Sequence, residues 1–367
     1  MSLINSLTIK QHGSFLRTYV GILLLCLLAN LSAHAKSIDN ESKLTKTLTY
    51  TLGPLKIDKM MGAMHGPVLK QAMNENQTTI NKDVWEAVWI KSFQVEVANG
   101  ISQPEDSSLE FLCHAWLTMG TTQRNDERLL TVSQGMAEMR LPEGFGIRLS
   151  NLAEAAVSAQ ALNDNNAPES NVTYHITVKY ITDLDAQEIK LKNLRTVTAA
   201  IRAEDAAEPF LSLPTNGNKD NKICAGKGVS FLVPPGRHEY ITKLHATHPL
   251  SQGGIIHAIK LHLHAYGESM SLVDETAGKT LWQGKADNAK NKALITHVDD
   301  YNSSEGIELD PTHRFAVKAV YNNPTKVNAE AMAVLRIYIA DTVEAKQPAG
   351  SRLMSYPVKS PPSPTLP

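Results

Sequence analysis

The chain has 367 residues, 42% of them hydrophobic and 20% charged, with a formal net charge of −1 at pH 7. That length suggests two domains of about 150 residues each. Balanced charge without a basic stripe argues against nucleic acid or an anionic membrane as a partner, and three cysteines are too few for a disulfide-built scaffold.

Residues 1–35 read as a signal peptide. Lys10 and Arg17 precede the apolar run "VGILLLCLLANLSA", and "AHA" at 33–35 has the small-x-small form of a cleavage site. The apolar run is shorter than the roughly 20 residues a spanning helix needs. The expectation is an exported protein, periplasmic or secreted, with no membrane contact after cleavage. The mature chain then keeps Cys113 and Cys224, which are able to form one disulfide in an oxidising compartment.

Strand signals dominate the chain beyond the leader. "WIKSFQVEVANG" (89–100), "NVTYHITVKYI" (171–181), "IIHAIKLHLHAYG" (255–267), "HRFAVKAVY" (313–321) and "AVLRIYIA" (333–340) alternate or are rich in β-branched and aromatic residues. Turn formers bound each of them. "SLVDETAGKTLW" (271–282) predicts a hairpin with Gly278 in the turn. Helix is expected only at 68–74 and in part of the alanine-dense 151–163. "MMGAMHGP" (60–67) gathers Met60, Met61, Met64 and His65, and reads as a packed methionine knob beside a turn or as a copper-carrier cluster.

The polar, aperiodic stretch 203–222 divides the chain. The expectation is an all-β protein of two consecutive antiparallel β-sandwich, jelly-roll-like domains, 36–203 and 204–343. A Pro/Ser-rich tail, 344–367, has almost nothing to bury and is expected to be disordered.

"KLHLHAYG" (260–267) carries the chemistry. Side chains alternate along a strand, so Ile259, Leu261 and Leu263 share a core face while Lys260, His262 and His264 share the other. By the same parity His257 falls on the core side. In "AEAMAVLRIYIA" (329–340) the apolar face runs through Ala331, Ala333, Leu335, Ile337 and Ile339, leaving Met332, Val334 and Arg336 opposite. Two imidazoles at i and i+2 can bind one metal ion if a third ligand comes from elsewhere, and a thioether beside imidazoles suits copper. An ordinary hydrogen-bonded or solvent-facing histidine pair is the competing reading. His245 and His248, before Pro249, read as loop residues.

"HLHAYG", a hairpin and the late "AMAVLRIYI" strand resemble the C-terminal domain of copper type II, ascorbate-dependent monooxygenases, the family of peptidylglycine alpha-hydroxylating monooxygenase and dopamine beta-monooxygenase. "FLCHAWLTM" (111–119) and "LPEGFGIRL" (141–149) are similar to segments of the N-terminal domain. The resemblance implies a copper ion on His262, His264 and Met332, hydroxylation of a C–H bond of a small-molecule or peptide substrate, and ascorbate or another external reductant. It also implies a second copper, held by three histidines across an open cleft, but Cys113-His114 stands where that family pairs histidines and "SAQALNDN" (158–165) lacks the third. Cys113 and His114 are thus the candidates for a degenerate second site. Lys260 takes the place of a substrate-gripping arginine, and Val334 and Arg336 take the places of substrate contacts, so Lys260 and Arg336 are candidate substrate-binding residues. The alternatives are a copper-binding, storage or delivery protein without turnover, and a metal-free structural sandwich.

Overall fold

The computed structural model describes residues 40–58, 66–73, 87–98, 109–119, 127–149, 155–165, 170–206 and 228–340. The leader, the Met60–His65 cluster, Cys224 and the Pro-rich tail lie outside these residues. Among the described residues, no helix is long and apolar enough to cross a membrane.

The protein is all-β and, apart from one short parallel pairing, antiparallel. Its first half contributes β1 (Lys46–Ile57), β2 (Val68–Ala72), β3 (Val88–Ala98), β4 (Leu112–Met119), β5 (Glu127–Ser133), β6 (Glu138–Arg140), β7 (Phe145–Leu149), β8 (Ala155–Ala161), β9 (Ser170–Thr182) and β10 (Lys192–Asn193). One sheet runs β1-β9-β3-β7-β10, with β6 on β3, and the other runs β2-β8-β4-β5. Between them lies a core built on Phe93, Leu117, Leu130, Tyr174 and Ile176.

From Arg195 onward come β11 (Arg195–Ala200), β12 (Ser230–Val233), β13 (Gly236–Lys243), β14 (Gly254–Leu263), β15 (Gly267–Asp274), β16 (Lys279–Asn288), β17 (Ile295–Val298), β18 (Asp300–Leu309), β19 (Phe315–Asn323) and β20 (Ala329–Ala340). Their sheets run β11-β20-β14-β18, with β12 on β20, and β13-β19-β15-β16-β17. A second core, with Phe231, Leu261, Met270, Tyr321 and Leu335, fills the space between. The hairpin of β15 and β16 turns at Gly278, whose φ of 63° suits a residue without Cβ.

The two helices expected from composition are strands. Residues 68–72 pair with β8, and 155–161 lie between β2 and β4. Ala155, Ala156, Ala159 and Ala161 are all buried there, so tertiary burial overrides their helix propensity.

The two sandwiches meet along a seam. The backbone N–H of Ala293 donates to Asn165 Oδ1 at 2.7 Å, and Lys292 Nζ pairs with Glu110 Oε2 at 2.8 Å. The N–H of Val298 donates to the carbonyl of Gly135 at 3.3 Å. A Cβ at Gly135, where φ is 79°, would stand 2.7 Å from a methyl of Ile295. Ala258 and Tyr338, from the second sandwich, are buried in the core of the first.

Candidate functional site

The face opposite the second core is the one that matters. Ile259, Leu261 and Leu263 enter that core, as alternation requires. Lys260, His262 and His264 turn the other way, into a cavity of about 340 Å³ between the sandwiches. His262 stands opposite Val334 on β20, and the N–H of His264 donates to the carbonyl of Met332 at 3.1 Å. Met332, Val334 and Arg336 therefore line the same cavity.

The opposite wall comes from the first sandwich. β4 pairs with β8 through a register shift between Leu112 and His114. Such a bulge re-aims side chains, and both Cys113 and His114 line the cavity. His114 stacks on Trp116 at 4.7 Å between ring centroids and lies 5.7 Å from His262, which is 5.2 Å from His264. Three imidazoles from two sandwiches thus form one cluster.

Their hydrogen bonds are incomplete. His114 Nδ1 bonds Cys113 Sγ at 2.9 Å, but its Nε2, both ring nitrogens of His262 and the Nε2 of His264 have no partner and no solvent contact. An unsatisfied buried polar group costs about 1–3 kcal/mol. Burial pulls the pKa of His114 and His262 well below the ordinary value, helped by neighbouring imidazoles and by Arg128 and Arg336. Burial takes His264 down to about 4. All three rings are neutral at pH 7, the form a metal requires. Cys113 is pushed up to about 12 by burial, then by Asp164, and stays a thiol.

The two candidate substrate contacts differ. Lys260 Nζ is taken by Asp300, its cross-strand neighbour on β18. Arg336 faces the cavity and donates to the hydroxyl of Thr198, without a carboxylate partner among the described residues. His257 leaves the core side because β14 bulges between Ile256 and Ala258. Its ring packs on Phe145 of the first sandwich at 3.9 Å, and Nδ1 reaches the carbonyl of Ser303 at 3.0 Å. His245 forms a local loop bond, whereas His248 accepts from the N–H of Leu250 and also reaches the carbonyl of Thr198 on β11 at 3.0 Å.

Comparison with known proteins corrects the family expectation. No family model matches the chain, and no curated protein matches it. Solved structures that resemble it include PNGase F, a glycosylasparaginase from Flavobacterium meningosepticum, at 8% identity over 81% of this chain and 97% of that one, with a TM-score of 0.34. Another is a peptide-N(4)-(N-acetyl-beta-D-glucosaminyl) asparagine amidase at 10% identity, covering 81% and 97%, with a TM-score of 0.33. At that overlap no activity carries over.

The membership in the copper type II monooxygenases is therefore not upheld, and neither is the oxidoreductase function drawn from it. Geometry gives a physical reason. That mechanism needs two metal centres facing across an open cleft, whereas His114 packs directly against His262 and closes the gap. Among the described residues, moreover, no three His, Cys, Asp or Glu side chains are set as ready-made metal ligands. The cluster is a gathering of donors, not an assembled coordination sphere.

Proposed function

We propose that this chain binds one soft transition-metal ion, of the Cu(I) class, in the cavity between its sandwiches, through His262, His264 and Met332, with no turnover assigned to the site. The supporting observation is His262, whose two ring nitrogens are shut away from water without any protein partner. A neutral imidazole in that state is a lone pair awaiting an acceptor. The thioether of Met332, carried on the strand directly beside His264, adds a soft donor suited to Cu(I). An external reductant such as ascorbate would keep the ion in that state. The expectation of export travels with this reading and rests on the residue order of 1–35 alone.

The test is metal content after dialysis of protein loaded with copper under reducing conditions. About one ion per chain is expected, and His262→Ala with His264→Ala should lose it. Copper content unchanged in the double variant defeats the reading.

A further inference from the structure

Resting on that metal-binding reading, we infer that His114 is the third imidazole of the same ion, so that a single metal clasps the two sandwiches together. His262 and His264 belong to β14 of the second sandwich and the turn just after it, while His114 belongs to β4 of the first. Imidazoles sharing one tetrahedral ion at a metal–nitrogen distance of about 2.0 Å have ring centroids roughly 5 Å apart. The observed separations are 5.7 Å for His114–His262 and 5.2 Å for His262–His264. His262 thus stands at ion-sharing distance from each of the other two rings, and the inference requires side-chain rotation to bring His114 and His264 onto the same ion.

Three further observations point the same way. His114 keeps a bare, water-free Nε2 while its Nδ1 is held by the Cys113 sulfur, which leaves Nε2 as the ring's one open donor position. The bulge in β4 brings the Cys113 sulfur to the cavity beside His114, which already shares the cavity-side face of the strand with Trp116. The seam around the cavity is joined by polar contacts such as Asn165–Ala293 and Lys292–Glu110 and by apolar packing of Ala258 and Tyr338 into the first core. An ion with ligands on both sides would tighten that seam, because ligand binding to the closed form favours the closed form.

The experiment uses the full chain and Cu(I) held in competition with a chromogenic chelator. Wild type is compared with His114→Ala and with the His262→Ala/His264→Ala double variant. His114→Ala should weaken binding at least 100-fold, and X-ray absorption should count one imidazole nitrogen fewer around copper. Backbone hydrogen exchange in the wild type supplies a measurement that needs no variant. The N–H groups of Ala293 and Val298, which donate across the seam, should exchange at least ten-fold more slowly with copper bound.

Copper retained by His114→Ala with wild-type affinity and coordination, or seam exchange indifferent to copper, overturns the clasp while the two-histidine, one-methionine site survives. Failure of the wild type to bind copper at all removes both. Should His114→Ala not fold, the exchange measurement and the nitrogen count on the wild type decide alone.

Discussion

Two places in this molecule bury nitrogen, and they do so in opposite ways. Lys91 on β3 is 6% exposed, yet its ammonium pairs with Glu41 Oε1 at 2.7 Å and donates to the carbonyls of Pro142, at 3.1 Å, and Phe145. Glu41 is itself held by the N–H of Gly144 at 3.0 Å. Burial lowers the lysine's pKa, and the Glu41 carboxylate pulls it part of the way back. The ammonium and the Glu41 carboxylate each have partners inside the protein. At the histidine cluster four ring nitrogens have none. The first site is closed by its own sequence; the second is complete only with something added.

Breaking the closed site should have the largest effect. Lys91→Met leaves the carboxylate of Glu41 and two carbonyls without their cation, and loss of one member of a buried pair costs about 3–5 kcal/mol. Urea unfolding should show a loss of that size. A loss under about 1 kcal/mol would mean that water repairs the site and that the contrast is false.

Acid should separate the two sites next. The pKa values of His114, His262, His264 and His257 all lie below the ordinary histidine value, with burial the leading cause in each. Arg128 and Arg336 face the cluster, and Lys192 faces His257. Below about pH 6.5 the unfolded chain takes up protons that the folded protein refuses, so stability is full above that value and falls with pH. For His264 the loss is complete near pH 4. His313, beside Asp274 at 2.7 Å, works in the other direction: its pKa is raised, so its contribution is present in acid and fades as pH rises. Denaturant midpoints measured from pH 8 to pH 4 should therefore fall, and the fall should be shallower in His262→Leu.

His262→Leu also tests the open site without metal. It removes two bare nitrogens and keeps the bulk, so metal-free protein should be unchanged or gain up to about 1–3 kcal/mol. A marked loss in chelator would show that the ring is satisfied in solution, by ordered water for instance, and that the cavity is not waiting for an ion.

Much of this was legible in the chain. Strict alternation in 259–264 and 331–339 placed two imidazoles and a thioether on one side of a sheet, and the structure puts them there. The first wall of the cavity was not legible, because alternation cannot announce a bulge. Resemblance alone singles out Cys113 and His114 as a pair, and regular alternation would send one of them to the core, yet the shift at Leu112/His114 brings both to the cavity. The same kind of shift at Ile256/Ala258 moved His257 from the second core to Phe145. Alanines 155–161 misled through composition, since small side chains suit a strand buried on both faces as well as they suit a helix. Lys260 looked available until Asp300, 40 residues on, proved to be its cross-strand neighbour.

The smallest effect is expected one residue pair along β20, and it asks whether bare polar atoms are tolerated for their own sake. Tyr338 is fully buried in the core of the first sandwich, and its hydroxyl has no hydrogen-bond partner. Burial raises its pKa, so it stays neutral, and the nearby Arg336 guanidinium only partly opposes that. Nothing in the cavity explains it, for Tyr338 does not line the space shared by the histidines. Tyr338→Phe deletes one oxygen without opening a large void and should stabilise the protein by about 1 kcal/mol. Metal affinity should not change. If copper binding weakens as well, the hydroxyl belongs to the cavity's hydrogen bonding through Arg336. The open site would then extend along β20, and the bare nitrogens would be one part of a longer polar run.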